Sequence, residues 1–338
     1  MEKIVLFGAG KRCRDAIERL SNQYEICCIV DNDPAKKGKN AWGGVKIEDS
    51  KALDKHRDKK VVITSIDYKD IARQLMEMKI KNLYLYDENV LIREMWQSVI
   101  HEKMINEHIF CLGKFLRMVK EKSALELDSV CFKSGGSGVL DYLFLKAVMI
   151  YFGLHTYLEI GTYIGESIHN ISAIADKCYS ITVPEDHPAS MKNFCKKYGM
   201  VDFSNRLMNR PNMIQYLADS KEFSFDEIKE KIDVYFIDGD HSLGGIQQDT
   251  EKVFAHKGEN SFVVWHDVKK EGHQINEVTI EAISRTIGAE KLKNFYICDM
   301  NLCGIYVPDQ YCGVFDELCN YNKETLYVYK LQLDIGEE

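Results

Sequence analysis

Three observations predict an α/β chain of two parallel-sheet domains joined by a helical segment. Two stretches, Lys3-Ile-Val-Leu-Phe-Gly-Ala-Gly10 and Thr156-Tyr-Leu-Glu-Ile-Gly-Thr-Tyr-Ile-Gly165, each run from an apolar strand pattern through close-spaced glycines into a helix-like pattern. Each is followed by short apolar runs that alternate with helix-length stretches, the order of a parallel sheet with crossover helices. Between them the apolar spacing shifts to three and four residues. The expected division is 1–87, a helical linker or cover at 88–152, a second α/β domain at 153–310 and a C-terminal extension at 311–338.

The chain has 338 residues, enough for two cores. Hydrophobic content of 45% and charged content of 28% describe an ordinary globular protein. A net charge of -8 argues against a general grip on nucleic acid, which needs a basic face. The eleven cysteines are odd in number and lack metal-finger spacing, so buried reduced thiols are expected. The first strand begins at Lys3 with no basic-then-apolar leader, and no apolar run reaches membrane-spanning length. A cytoplasmic location with no membrane or nucleic-acid partner is the expectation.

In the first domain, Gly8-Ala-Gly10 is followed by a second strand pattern that ends in Val30-Asp-Asn-Asp33. That is the layout of a dinucleotide-binding turn with an acid at the next strand's tip. Cys13 stands at the third glycine position and Lys11 and Arg12 lie on the turn, so a nicotinamide cofactor is not assured. Strands at 61–64 and 82–86 and a helix at 70–78 complete the unit. Its pattern resembles the N-terminal Rossmann-like domain of bacterial sugar acetyltransferases. The resemblance implies a nucleotide-sugar held at Gly8, Gly10, Asp31 and Asn32; a fold that only docks or dimerises is the alternative.

From Asp87 the spacing of Ile92, Met95, Trp96, Val99 and Ile100, and then of Phe110, Leu112, Phe115, Leu116 and Val119, predicts helices. Ser134-Gly-Gly-Ser-Gly138 reads as a turn before a helix over 139–151, in which Tyr142 and Phe144 are core residues.

The second glycine stretch, with Glu159 before Gly161 and Gly165, resembles the first motif of class I S-adenosylmethionine-dependent methyltransferases. The runs at 179–182, 234–237 and 261–265 then take the places of that fold's second, fourth and fifth strands, and 294–298 with 303–307 its closing antiparallel pair. The resemblance implies a mostly parallel sheet and S-adenosylmethionine bound at Glu159, Gly161, Thr162, Gly165 and Asp238. Thr182 stands where the family places its ribose-binding acid, so Glu185, after Pro184, is the expected substitute. Asn205 to Asn209 reads as the third strand and puts Asn209 near the adenine edge.

Two strand tips carry the chemistry, Ile237-Asp-Gly-Asp-His-Ser242 and Trp265-His-Asp267. Polar residues at the carboxyl ends of central parallel strands face the ligand crevice. The plainer role for Asp240 and Ser242 is helix capping. The pair of segments resembles the metal-dependent sugar O-methyltransferases of antibiotic biosynthesis, which implies Asp238 and Asp267 as metal ligands and His241 as base. His266 replaces an acid of that family's metal set, which leaves magnesium, a softer ion or no metal open. The catalytic expectation is His241, Asp238 and His266, and the acceptor a sugar or nucleotide-sugar; a homo-oligomer is left open. An NAD-dependent oxidoreductase, or a nucleotide-sugar-binding protein with a degenerate methyltransferase fold, are the competing readings.

Overall fold

The computed structural model describes residues 1–65, 68–80, 82–87, 91–94, 107–132, 136–270, 274–330 and 332. The chain divides into two compact units, Met1–Glu102 and Lys103–Glu338.

In the first unit the strands are β1 (Glu2–Phe7), β2 (Tyr24–Val30), β3 (Ile47–Glu48), β4 (Lys60–Ile63), β5 (Leu83–Asp87) and β6 (Leu91–Glu94). They form one sheet in the order β3-β2-β1-β4-β5-β6, parallel except for β6. Central strands buried on both faces read as unbroken apolar runs, and Ile4 to Phe7 and Val61 to Ile63 are essentially inaccessible. Helix α1 (Lys11–Leu20) packs Cys13, Ala16, Ile17 and Leu20 onto one face. Helix α2 (Tyr68–Glu77) places Ala72 and Leu75 in the cluster on the other.

The second unit contains an eight-stranded sheet of β7 (Ile109–Phe110), β8 (Thr156–Ile160), β9 (Lys177–Thr182), β10 (Met213–Leu217), β11 (Val234–Ile237), β12 (Phe262–Trp265), β13 (Phe295–Cys298) and β14 (Gly304–Tyr306). The order is β10-β9-β8-β11-β12-β14-β13-β7, with β14 antiparallel to both neighbours and the remaining pairs parallel. This is the expected α/β architecture with its antiparallel closing strand. Helices α3 (Leu112–Lys120), α4 (Val139–Phe152), α5 (Glu166–Ser172), α6 (Met191–Tyr198), α7 (Leu243–His256), α8 (Glu277–Leu292) and α9 (Cys312–Cys319) complete it. Two clusters of buried side chains, one on each face, make the core.

Several sequence expectations change. Leu91–Glu94 is a strand, not the start of a helix, because its backbone pairs with β5 and closes that edge of the first sheet. Met95, Trp96, Val99 and Ile100 lie outside the described residues. Phe110 belongs to β7, which pairs with β13, so the expected linker contributes a strand to the second sheet. Leu112, Phe115, Leu116 and Val119 do form the buried face of a helix. Residues 204–207 form a turn, 208–210 have no regular structure, and the third strand is β10, two residues beyond Pro211. The expected C-terminal extension contributes to the core, since Phe315 and Leu318 of α9 are fully buried with Phe110 and Phe144.

Candidate active site

Strands β8, β11 and β12 lie side by side, in register from Ile160 to Ile237 to Trp265. Their carboxyl ends therefore bring the glycine turn, Asp238 and His266 to one edge of the sheet. Gly161 has φ +90°. A Cβ there would collide with the carbonyl oxygen of Asp238 and lie 2.8 Å from Gly239 Cα. The glycine is thus demanded by the packing of two strand tips, whatever ligand comes near. Gly165, with φ +95°, begins α5.

Glu159 points beneath this turn and is fully buried. Thr162 Oγ1, Ser167 Oγ and Tyr157 OH donate to its two oxygens. Burial pushes its pKa up to about 7, against the pull of these hydrogen bonds. The carboxyl is therefore an internal brace of the turn. Thr162 is buried as well and also bonds Ser180 Oγ at 2.5 Å.

His266, almost completely buried, is the hub of the charged groups at this edge. Its Nδ1 lies 3.2 Å from both Asp238 Oδ1 and Asp267 Oδ1, and its Nε2 3.4 Å from Asp141 Oδ2. Burial would lower its pKa, but the surrounding carboxylates of Asp238, Asp141 and Asp267 drive it well above the usual histidine value. An imidazolium protonated on both nitrogens has no lone pair with which to act as a base or bind a metal. Asp267 adopts φ +53°, rare for a residue other than glycine. Its remaining oxygen, Oδ2, stands 3.0 Å from His241 Nδ1. Despite the burial that would raise it, the hydrogen bonds from His241 and His266 hold the Asp267 carboxyl well below the usual range.

His241 itself is exposed, with 61% of its side chain accessible. The hydrogen bond to Asp267 raises its pKa above 6.5, with burial opposing and Asp238 assisting. That bond places the proton on Nδ1 and leaves Nε2 as the basic atom. The neighbouring helix α7 is capped by Ser242, whose Oγ accepts from Gly245 N at 3.1 Å, while Asp240 Oδ1 accepts from Ser242 N. Helix capping thus falls to Ser242 and Asp240, and His241 has no part in it.

Asp238, His241 and Asp267 bring one ligand atom each within 4.8 Å of one another, the spacing a metal ion needs. The donor set does not fit magnesium. One of its three atoms is an imidazole nitrogen, and the His266 imidazolium already sits against both carboxylates, opposing a second cation.

Other expected residues do not join this site. Glu185 is exposed and pairs with Lys192 at 2.6 Å, because the turn after Pro184 leads it toward α6. Asn209 is exposed on the segment before β10. Conversely, Ser137 and Asp141 were missed. Ser137 Oγ donates to Asp238 Oδ2 at 3.0 Å, and Asp141 accepts from Gly138 N, Leu302 N and Cys303 Sγ besides holding His266. The available signal was a lone acid near the start of the otherwise apolar helix α4.

In the first unit Gly8, Gly10, Asp31 and Asn32 line one cleft of about 310 Å³ together with Lys11 and Ser65. Asp31 Oδ2 accepts from Ala9 N at 2.6 Å and pairs with Lys36 at 2.9 Å, and Oδ1 accepts from Asp33 N. Both oxygens therefore have protein donors, two on Oδ2 and one on Oδ1. Asn32 exchanges both ends of its amide with Gln74. Among the described residues no helix is long and apolar enough to cross a membrane, and the eleven cysteines are free thiols.

Residues 158–268 match the family model described as a methyltransferase domain, and residues 1–108 match that of a C2185-like N-terminal domain. No curated protein matches the sequence. Among solved structures, the apo form of CalS11, a TDP-rhamnose 3'-O-methyltransferase of calicheamicin biosynthesis, is 12% identical and covers 58% of this chain and 92% of its own, with TM-score 0.36. A structure from Klebsiella pneumoniae described as a putative O-methyltransferase is 12% identical, with coverages of 58% and 89% and TM-score 0.35. The N-methyltransferase NodS from Bradyrhizobium japonicum WM9, bound to S-adenosyl-L-homocysteine, is 12% identical, with coverages of 51% and 85% and TM-score 0.33. At such scores the likeness carries nothing about substrate or residue roles. The family model and the strand order agree that residues 158–268, within the second unit, form a methyltransferase domain on a mostly parallel α/β sheet.

Proposed function

We propose that the chain transfers the methyl group of S-adenosylmethionine to a hydroxyl of a sugar, free or nucleotide-linked, in the cytoplasm. The observation that carries this reading is the Asp267–His241 pair, 3.0 Å apart at the edge of the sheet that bears the glycine turn. The cofactor rests on the Gly161–Gly165 turn. As the acceptor oxygen attacks the methyl carbon and the carbon–sulfur bond breaks, His241 Nε2 takes the hydroxyl proton, and Asp267 stabilises the imidazolium that forms. Alignment of oxygen, methyl and sulfur supplies much of the rate. Asp238 accepts from a hydroxyl in the same crevice, as it does from Ser137, and His266 keeps Asp238 and Asp267 ionised and oriented. No metal ion enters these steps.

The cleft of the first unit is assigned to a nucleotide-sugar. The exposed Lys11 and the backbone amides at the start of α1 face its phosphates. Calorimetric titration of the purified chain with S-adenosylmethionine, NAD and uridine diphosphate-sugars tests the whole reading. Heat is expected from the first and third, and a response to NAD alone would reverse the assignment.

A further inference from the structure

Glu159 is a carboxyl with 0% exposure that lies directly under the glycine turn. Thr162 Oγ1 reaches its Oε1 at 2.5 Å, and Ser167 Oγ and Tyr157 OH reach Oε2 at 2.6 and 3.1 Å. The groups facing it from the packed elements are Tyr157 on β8, Thr162 on the turn, Ser167 on α5, Cys178 and Ser180 on β9 and, farther off, the Asp238 carboxylate. None of these is a cation. A carboxyl ringed by neutral hydroxyls and facing another acid keeps its proton unusually long, and burial pushes Glu159 up to about 7.

We infer that Glu159 couples a proton to the cofactor: when a sulfonium ligand settles on the Gly161–Gly165 turn, the Glu159 carboxyl releases its proton to the buffer, and it takes one back once the methyl has left. The inference rests on the assignment of S-adenosylmethionine to this turn. S-adenosylmethionine carries a sulfonium and an ammonium against one carboxylate, a net positive charge, and a nearby cation lowers a carboxyl's pKa. S-adenosylhomocysteine has lost the sulfonium charge. Methyl transfer therefore removes the group that kept Glu159 ionised, which favours reprotonation and weakens the hold on the product relative to the substrate.

Calorimetric titration of the full chain at pH 7 with each ligand, in two buffers of different ionisation enthalpy, reads the protons exchanged. S-adenosylmethionine is expected to release about half a proton, because a group titrating near 7 is about half protonated there; S-adenosylhomocysteine releases less, and Glu159→Gln abolishes release with both. Ser167→Ala keeps the carboxyl but removes one of its donors, so its release with S-adenosylmethionine at pH 7 grows. Equal release from the two ligands, or unchanged release in Glu159→Gln or Ser167→Ala, overturns the inference while leaving the cofactor assignment intact. Absence of binding by either ligand overturns both.

Discussion

The two glycine turns share an outline and differ in where the acid comes from. At the first, Asp31 reaches from the tip of β2 and takes the Ala9 amide, the Asp33 amide and the Lys36 ammonium. Burial would raise it, yet these charged and amide donors hold Asp31 below its ordinary value. At the second, the tip of β9 carries Thr182, and Glu159 comes from the preceding strand, sealed under the turn among hydroxyls. Its pKa rises instead. Asp31 is only partly buried, and its amide and ammonium donors offset that desolvation; Glu159 is fully buried, and three hydroxyls do not offset the larger penalty. One acid is a fixed anion, and the other is poised to titrate.

The comparison is broken most severely at the glycines. Gly161→Ala places a methyl against the Asp238 backbone in a left-handed conformation, and backbone cannot move aside as a side chain can. The second unit is expected to lose more than about 3 kcal/mol and to appear largely insoluble or unfolded by circular dichroism. Gly8 has φ +104°, but the nearest contacts of an added methyl lie at 3.3 and 3.4 Å, on Ser65 and Thr64. Gly8→Ala should fold with a loss of about 1–2 kcal/mol in thermal unfolding. Equal losses would show that strand-tip packing does not distinguish the turns.

Next in size is His241→Ala. Turnover should fall by about 10²–10⁴-fold with cofactor affinity near wild type. The melting temperature should hold, since Ser242 and Asp240 serve the end of α7. A variant of normal activity would remove His241 from the mechanism.

Much of this arrangement is legible in the sequence because strand tips are. An apolar run that ends in Asp-Gly-Asp-His or Trp-His-Asp fixes which residues reach the crevice, and β11 and β12 deliver Asp238, His241, His266 and Asp267 as expected. What is not legible depends on contacts remote in sequence. Asp141 meets His266 across 125 residues, and Ser137 meets Asp238 across 101. Glu185 finds its partner in Lys192 on α6, seven residues on, and not over the glycine turn. The segment from Asn205 to Asn209 reads as a strand, yet Leu207 is buried from a turn in which its amide bonds the carbonyl of Ile164. The local fold follows the period of the chain, and the charge network follows the topology.

A smaller effect sharpens the contrast in titration. A base must be neutral to accept a proton, so kcat/KM should rise with pH through the His241 pKa, which Asp267 raises above 6.5. Asp267→Asn removes the anion that favours the imidazolium, and the midpoint of this acid limb should move to lower pH even as the maximum falls. A limb that stays in place would separate Asp267 from His241. Added chelator should leave the profile unchanged.

The smallest expected effect belongs to Asp31→Asn. Asp31 is ionised more readily in the folded chain than its ordinary 3.8. Its contribution is therefore complete above that value and is lost as pH falls below it toward the depressed folded pKa. At neutral pH the variant keeps an oxygen for the Ala9 amide but loses the charge that pairs with Lys36, whose side chain is 37% exposed. The loss should be about 1 kcal/mol, the scale of a single partly buried interaction. Hydrogen exchange of the Ala9 amide in the full chain provides the measurement. Protection in the wild type should decline as pH drops below 3.8, after correction for the intrinsic rate, and the Asp31→Asn chain should show a lower but flatter profile. If uridine diphosphate-sugar affinity also holds within about twofold, Asp31 braces the turn without touching the ligand. A larger drop in affinity, with protection preserved, would instead place one of its oxygens on the nucleotide.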